Sequence, residues 1–336
     1  MTSCASLSRN LQVGTRGRVA TNGDSMNTWT SGLMFPEGPV LMPDGSVLLS
    51  ELTGNRITQV WPDGMKKTIA EPLGMPNGLA FGPDGYLYCA NMGGLSKPSI
   101  MKDVPGVNVA KLAYRGGSIQ RIDIATGEVV DVVTECEGFT LPAPDDLIFD
   151  AEGNFYFTDI GVMDHDDRKG DETGIYFVSH DLQTVKRLVR SMVPTNGIGI
   201  SPDGKKLYWT EYLTGRLFVR NIVSPGVLED PAVPFGDCIF THPLPVTWFD
   251  SLTVGASGEI LVAVHNGTME GRSGVITFNA EGDEVDFVAF DDAWTTHVIL
   301  STSGSPTAYV TLSGTGRLVE LSWGFHQLAP LYGPRS

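Results

Sequence analysis

The sequence is short of the features that mark several large classes of protein. It has four cysteines among 336 residues, Cys4, Cys89, Cys136 and Cys238, with no CxxC spacing, which favours reduced, buried thiols over a disulfide framework. Basic residues are also scarce, since 23 Lys and Arg stand against 39 Asp and Glu, for a formal net charge of −16. Such a chain is not expected to bind nucleic acid or an anionic membrane.

Long apolar runs and helical periodicity are missing as well. No run of about eighteen apolar residues occurs, so no segment is expected to span a membrane. No stretch keeps an i, i+3, i+4, i+7 apolar pattern for more than about two turns. The first residues include Arg9, Arg16 and Arg18 but lack the apolar core of a secretory signal. Residues 1–30 are therefore predicted to form a soluble N-terminal arm, with an organelle-targeting peptide as the alternative, and the cytoplasm is the expected compartment.

What the sequence does contain is turn-forming residues and a repeat. Its 40 glycines and 21 prolines fit a fold made of many turns, and 41% of its residues are hydrophobic, which supports a large core. The stretch FPEGPVLMPDG, residues 35–45, returns in four clear copies and a fifth, weaker one. Each copy is typical of a strand, a tight turn that uses glycine, and a second strand.

A residue with a carboxylate or amide side chain stands eight positions before the turn glycine in five of these six copies. These five residues, called the ring residues below, are Glu37, Asn77, Asp145, Asn196 and Asp250, and the weaker copy begins at Thr296-His297. Six units of about fifty residues are typical of propeller blades. We therefore predict an all-β fold, a six-bladed β-propeller with four-stranded antiparallel blades, as a single domain over residues 31–325. The arm, or the segment 29–35, is the candidate for a closing outer strand, and residues 326–336 are predicted to be a C-terminal tail.

The first strand of every propeller blade lines the central channel, so the ring residues should surround one axis. Carboxylates that share an axis repel one another, by about 4 kcal/mol per pair at about 4 Å and an effective dielectric near 20. No Lys or Arg occupies a ring position, so a shared divalent cation is expected. Donor sets made of oxygen suit Ca²⁺ first, then Mg²⁺ or Mn²⁺, with Zn²⁺ or Fe²⁺ as further alternatives. An ion that only holds the blades together is the alternative to one that also binds substrate.

Four motifs carry a family resemblance. They are Phe35-Pro36-Glu37-Gly38-Pro39, Pro144-Asp145-Asp146-Leu147, Thr195-Asn196-Gly197-Ile198 and Phe249-Asp250-Ser251. Together they resemble the gluconolactonase and senescence-marker-protein (regucalcin) family of six-bladed propellers, from Phe35 to about Ser322. The Asp-Asp and Asp-Ser pairs are most similar to the branch of calcium-dependent, drug-responsive lactonases.

The resemblance implies a set of metal ligands. A divalent cation would be held by Glu37, Asp145, Asn196 and Asp250, with Ser251 as a further ligand. Whether Asp145 or Asp146 faces the ion stays open. The resemblance also implies a second, structural calcium, for which Glu137 and Thr140 are the matching positions.

The resemblance further implies a lactonase whose partner is a small-molecule lactone. Asp250 would act as general base and then return the proton to the leaving alkoxide. Asn77, Asp146 and His297 are candidates for substrate contact, with a turn-forming role for Asn77 and a structural role for His297 as the alternatives. Hydrolysis of organophosphates, as in the similar diisopropylfluorophosphatases with Asp250 as nucleophile, and a non-enzymatic calcium-binding propeller are the alternatives. Loops near 92–117, 161–173 and 231–248 are expected to wall the pocket.

Overall fold

A computed structural model describes most of the chain. The described residues are 18–19, 26–95, 108–162, 173–191, 193–231, 238–241, 247–268 and 272–335. Within them, six antiparallel sheets follow one another as the blades of a β-propeller, so the predicted fold is confirmed. Only two short 3₁₀ turns, Val109–Leu112 and Tyr212–Thr214, interrupt the strands in these ranges. None of the described residues forms a helix with the length and apolar character needed to cross a membrane.

The strands are distributed evenly over the blades. Two precede the first blade, β1 (Arg18–Val19) and β2 (Asn27–Thr30). Blade 1 contains β3 (Pro36–Leu41), β4 (Val47–Glu51), β5 (Arg56–Val60) and β6 (Lys66–Ala70). Blade 2 contains β7 (Pro76–Phe81), β8 (Leu87–Asn91), β9 (Ser118–Ile122) and β10 (Val129–Val133). A separate hairpin, β11 (Glu135–Cys136) and β12 (Phe139–Thr140), follows blade 2.

The second half of the chain repeats this order. Blade 3 contains β13 (Pro144–Phe149), β14 (Phe155–Asp159), β15 (Gly174–Val178) and β16 (Val185–Arg190). Blade 4 contains β17 (Thr195–Ile200), β18 (Lys206–Glu211), β19 (Arg216–Ser224), the short β20 (Val227–Leu228) and β21 (Cys238–Thr241). Blade 5 contains β22 (Trp248–Val254), β23 (Ile260–His265), β24 (Gly274–Phe278) and β25 (Glu284–Ala289). Blade 6 contains β26 (Thr295–Leu300), β27 (Thr307–Leu312) and β28 (Arg317–Ser322).

The segment before the first repeat completes blade 6. Strand β2 pairs antiparallel with β28 and forms the outer strand of that blade. Trp29, in β2, is buried in one apolar cluster with Leu49 and Leu318, which belong to the first and sixth blades. The residues just upstream of the first repeat therefore close the propeller.

Blade 4 differs from what the sequence suggested for residues 231–248. We expected a long connection there, but β21 pairs with β19. Phe240, in β21, packs on Phe249 and Phe278, with ring centroids 5.9 and 4.4 Å apart. The expectation of a pocket wall is thus corrected for Cys238–Thr241, which form an edge strand over the core. Residues 242–246 lie outside the described residues.

Every first strand carries a β-bulge near its beginning. The pairing between first and second strand shifts by one residue at the start of β3, β7, β13, β17, β22 and β26. A bulge interrupts the alternation of side chains along a strand and redirects them. Consecutive residues such as Asp145 and Asp146 therefore need not point to opposite faces of the sheet.

Glycines beside the ring residues let neighbouring first strands approach closely. A Cβ atom at Gly78 would lie 2.7 Å from Cα of Asp146. One at Gly197 would lie 2.5 Å from the backbone nitrogen of Leu252 and 2.8 Å from the carbonyl oxygen of Asp250. Because real Cβ atoms do not come this near to backbone, only glycine fits at these positions.

We expect Gly197→Ala to destabilise the protein by about 1–3 kcal/mol, the usual effect of overpacking. Thermal unfolding would measure this loss. Gly324→Ala is the matched control, because a Cβ there meets nothing within 4 Å. Equal melting temperatures for the two variants would contradict the close approach of β17 and β22.

Two described thiols agree with the prediction of reduced, buried cysteines. Cys89 and Cys136 are free and buried. Burial raises the pKa of the Cys89 thiol to about 12. Burial, with the charge of Glu137 as a smaller cause, raises the pKa of the Cys136 thiol to about 11.

Since the thiolate is the reactive form of cysteine, we expect neither Cys89 nor Cys136 to be alkylated by iodoacetamide at pH 8 until the protein unfolds. Peptide mass mapping before and after addition of urea would test this, and labelling of either residue in the native protein would count against it.

A cavity of about 740 Å³ occupies the lower end of the channel, opposite the face at which the first strands begin. Its walls are largely apolar and include Leu79, Leu147 and Leu252. The C-terminal residues 327–332 also line it. The Tyr332 hydroxyl donates to the carbonyl oxygen of Asp150 at 3.1 Å. The segment expected to be a tail is therefore packed across the lower face.

Candidate active site

The first strands bring the ring residues together at the upper end of the channel. Glu37, Asp145, Asn196 and Asp250 are buried, with 2–5% of each residue exposed. The hydroxyl of Ser251 lies 3.5 Å from Oδ1 of Asn196. All five predicted metal ligands thus share one buried site.

The electrostatics of this site are unfavourable without a counter-charge. Burial, followed by the charges of Asp250 and Glu37, raises the pKa of Asp145 well above its ordinary value. Burial and the charge of Glu37 likewise raise the pKa of Asp250, against the opposing effects of His297 and of a hydrogen bond from Asn196. Carboxyl groups in this situation must bind protons or share a cation.

The donor chemistry fits a hard cation. In the described part of the chain, no three His, Cys, Asp or Glu side chains form a ready-made ligand group by themselves. The amide oxygen of Asn196 and the hydroxyl of Ser251, 3.5 Å apart, are the other oxygen donors beside Glu37, Asp145 and Asp250. A set of carboxylate, amide and hydroxyl oxygens suits Ca²⁺ or Mg²⁺ better than softer metals.

Asn77 contacts another ring residue. Its amide nitrogen donates to Oδ1 of Asp145 at 2.7 Å and lies 3.8 Å from the sulfur of Met92. This bond orients the Asp145 carboxyl group. Contact of Asn77 with substrate stays a prediction.

Asp146 and His297 lie below the ring, where both line the lower cavity. Nδ1 of His297 is 3.8 Å from Oε2 of Glu37, too far for a hydrogen bond, and has no hydrogen-bond partner among the described residues. Burial opposes protonation of His297, but Glu37, Asp146 and Asp250 outweigh it and raise the pKa. Burial raises the pKa of Asp146 to about 6. Their predicted role in substrate binding remains untested.

Hydroxyl groups in the second strands hold the backbone of the ring. The Thr210 hydroxyl in β18 donates to the carbonyl oxygen of Asp250 at 2.9 Å and accepts from the backbone N–H of Gly197 at 2.8 Å. In the same way, Ser50 of blade 1 donates to the carbonyl oxygen of Asn77 at 2.8 Å. The bonds to the carbonyl oxygens of Asp250 and Asn77 fix these two ring residues from the preceding blade.

His265 is a site residue that sequence analysis missed. It ends β23, is 0% exposed, and its Nε2 lies 2.9 Å from Oδ2 of Asp250. Burial lowers the pKa of His265 to about 4, so the imidazole is neutral near pH 7. Counting back through the hairpin around Gly258 would have placed His265 opposite Trp248, two residues from Asp250.

The second predicted calcium site has less support in the geometry. Glu137 and Thr140 both lie on the β11–β12 hairpin, and both are exposed. Glu137 adopts a positive φ of 50° at its tip. Among the described residues, no third acidic, His or Cys side chain completes a group with them. The site stays a prediction.

Apolar side chains surround the ring on its upper side. Met75, Met92 and Tyr212 are buried in one cluster, with Phe35 and Trp248 packed against it. Parts of the three loops expected to wall the opening, 96–107, 163–172, 232–237 and 242–246, lie outside the described residues. The acidic stretch of residues 164–171 is among these undescribed residues.

Comparisons with known proteins agree with this architecture. The family model described as SMP-30/gluconolactonase/LRE-like region matches residues 35–314. Lactonase drp35 of Staphylococcus haemolyticus is 27% identical over 252 residues, which cover 73% of this chain and 66%, about two thirds, of that relative's length. A gluconolactonase of Xanthomonas campestris has a TM-score of 0.66 at 20% identity, covering 92% of this chain and 95% of that one. A calcium-binding protein, regucalcin, of Agrobacterium tumefaciens has a TM-score of 0.64 at 19% identity, covering 88% and 94%. The structural likenesses concern the fold alone.

Proposed function

The chain belongs to the SMP-30/gluconolactonase/LRE-like family, and from that premise we propose that it is a lactonase, a hydrolase that opens a cyclic ester with the help of one divalent cation. Ca²⁺ is the first candidate for the ion. The substrate is a small-molecule lactone. A drp35 lactonase and a gluconolactonase among the similar proteins support the reaction, and the calcium-binding regucalcin supports the ion.

The observation that carries the proposal is the buried carboxyl cluster of Glu37, Asp145 and Asp250. In the described part of the chain, the basic groups beside these carboxyls are two histidines, His265 next to Asp250 and His297 next to Glu37. Neither neutralises three carboxylates. A divalent cation would remove the repulsion between them, and the nearby amide of Asn196 and hydroxyl of Ser251 supply further oxygen ligands.

Each residue of the site has a separate role in ester hydrolysis. A bound divalent cation would act as a Lewis acid toward the lactone carbonyl. Asp250 accepts a proton from the attacking water and then gives it to the leaving alkoxide. Asn77 and Thr210 hold the Asp145 side chain and the Asp250 backbone in place.

Turnover of a lactone panel tests the proposal. The panel varies ring size and substituents, and a pH-stat records acid release by metal-free protein and by protein reloaded with Ca²⁺. We expect hydrolysis by the reloaded form and little by the metal-free form. Equal rates in the two forms would refute the role of the metal, and no turnover of any lactone by the calcium form would refute the reaction.

A further inference from the structure

We infer that His265 is a positioning residue for Asp250: it donates its Nε2–H to Oδ2 of that carboxylate and holds the carboxylate in its working orientation. The inference rests on the proposed function for the role of Asp250. The hydrogen bond itself rests only on the geometry around His265.

The tautomer follows from the partner of the other ring nitrogen. The backbone N–H of Gly267 points at Nδ1 of His265, with a nitrogen-to-nitrogen distance of 3.2 Å. A backbone N–H can only donate, so Nδ1 must be the acceptor and carries no proton. A neutral imidazole then has its single proton on Nε2, which lies 2.9 Å from Oδ2 of Asp250. The Tyr212 hydroxyl is farther away, 3.5 Å from Nε2.

The imidazole is held so that it cannot turn away. The ring centroid of Trp294 is 4.5 Å from that of His265, and those of Trp248 and Tyr212 are each 5.6 Å away. A Cβ at Gly267 would lie 3.1 Å from both tryptophan rings. Only glycine therefore lets the chain pass close enough to present its N–H to Nδ1.

Asp250 is thus held both at its backbone and at its side chain. Thr210 fixes its backbone carbonyl and His265 holds Oδ2. Among the described residues, Oδ1 has no histidine partner, and the Asp250 side chain also accepts a hydrogen bond from Asn196. Without the His265 donor, the carboxylate can rotate about its Cβ–Cγ bond. Loss of an outer partner of this kind commonly costs 10–100-fold in activity or metal affinity.

Three variants test the role. His265→Leu removes the donor, His265→Gln offers an amide N–H in a similar place, and His180→Gln is the control at a distance from the ring. We expect kcat of His265→Leu to fall by about 10–100-fold with little change in KM, and His265→Gln to recover much of it. We also expect His265→Leu to bind Ca²⁺ about 10–100-fold more weakly by calorimetry. Wild-type kcat and Ca²⁺ affinity in His265→Leu would overturn the inference.

A second readout does not depend on activity. Long-range ¹H–¹⁵N correlation spectra of metal-free, ¹⁵N-histidine-labelled wild-type protein report which nitrogen of each imidazole is protonated, and His265→Gln assigns the His265 signal. The expected result is protonation at Nε2 alone. Protonation at Nδ1 would overturn the inference. If the wild-type protein opens no lactone, the proposed function fails, while the spectrum and the Ca²⁺ titration still decide whether His265 supports Asp250.

Discussion

Asp250→Asn is expected to lower lactone hydrolysis by about a thousandfold, within the range that a general base contributes, while the protein remains folded. Asparagine has nearly the same shape as aspartate but cannot accept the proton of the attacking water. The substitution also removes a buried negative charge beside Glu37, so it should not destabilise the metal-free fold. Initial rates on the best lactone of the panel would measure the loss.

The control for this variant is Asp203→Asn. Asp203 is exposed in the turn after β17, and its carboxylate accepts from the Ser201 hydroxyl at 2.6 Å. Its substitution should leave the rate unchanged. An Asp250→Asn protein within tenfold of wild type would rule out Asp250 as the base. Single-turnover hydrolysis in ¹⁸O-labelled water separates base from nucleophile, because label should enter the product and not the Asp250 carboxylate.

Asp145→Asn is expected to stabilise the metal-free protein at pH 8 by on the order of 2 kcal/mol, comparable to the desolvation penalty of a poorly compensated buried group. The pKa of Asp145 in the folded state lies well above its ordinary value of 3.8, because of burial and the charges of Asp250 and Glu37. The folded state therefore binds more protons than the unfolded state once the pH exceeds 3.8. The stability that protonated Asp145 contributes is complete below pH 3.8, and it is lost as the pH rises through the pKa of Asp145 in the folded state.

Urea unfolding at pH 5 and pH 8 would measure this effect. In chelator, the advantage of Asp145→Asn over wild type should grow with pH. In excess Ca²⁺ the order should reverse, because the variant has lost a ligand and ligand binding stabilises the folded state. An advantage that does not change with pH would show that the pKa of Asp145 is not raised in the folded protein.

The propeller and its ring could be predicted because the repeat preserves spacing. A constant eight residues between polar residue and turn glycine puts Glu37 and Asp250 in equivalent places, and equivalent places in a propeller face one axis. The bulges that redirect Asp146 in β13 and Ser251 in β22 have no comparable pattern in the sequence, because they depend on how these strands pair with β14 and β23.

The role of His265 and the strand β21 could not be predicted from patterns in the sequence. His265 joins the site through the register of β22 with β23, and a single histidine at the end of an apolar strand looks like a core residue. Strand β21 has four residues, too few for alternation to stand out from a loop. Both are fixed by tertiary contacts and not by local pattern.

Calcium binding to the metal-free protein is the most direct test of the central claim, that the ring residues form one cation site. Isothermal titration calorimetry should show a site in the wild-type protein that is lost or greatly weakened in Glu37→Gln and kept in the Asp203→Asn control. Wild-type protein that binds no divalent cation, or Glu37→Gln protein that binds Ca²⁺ as tightly as wild type, would contradict it.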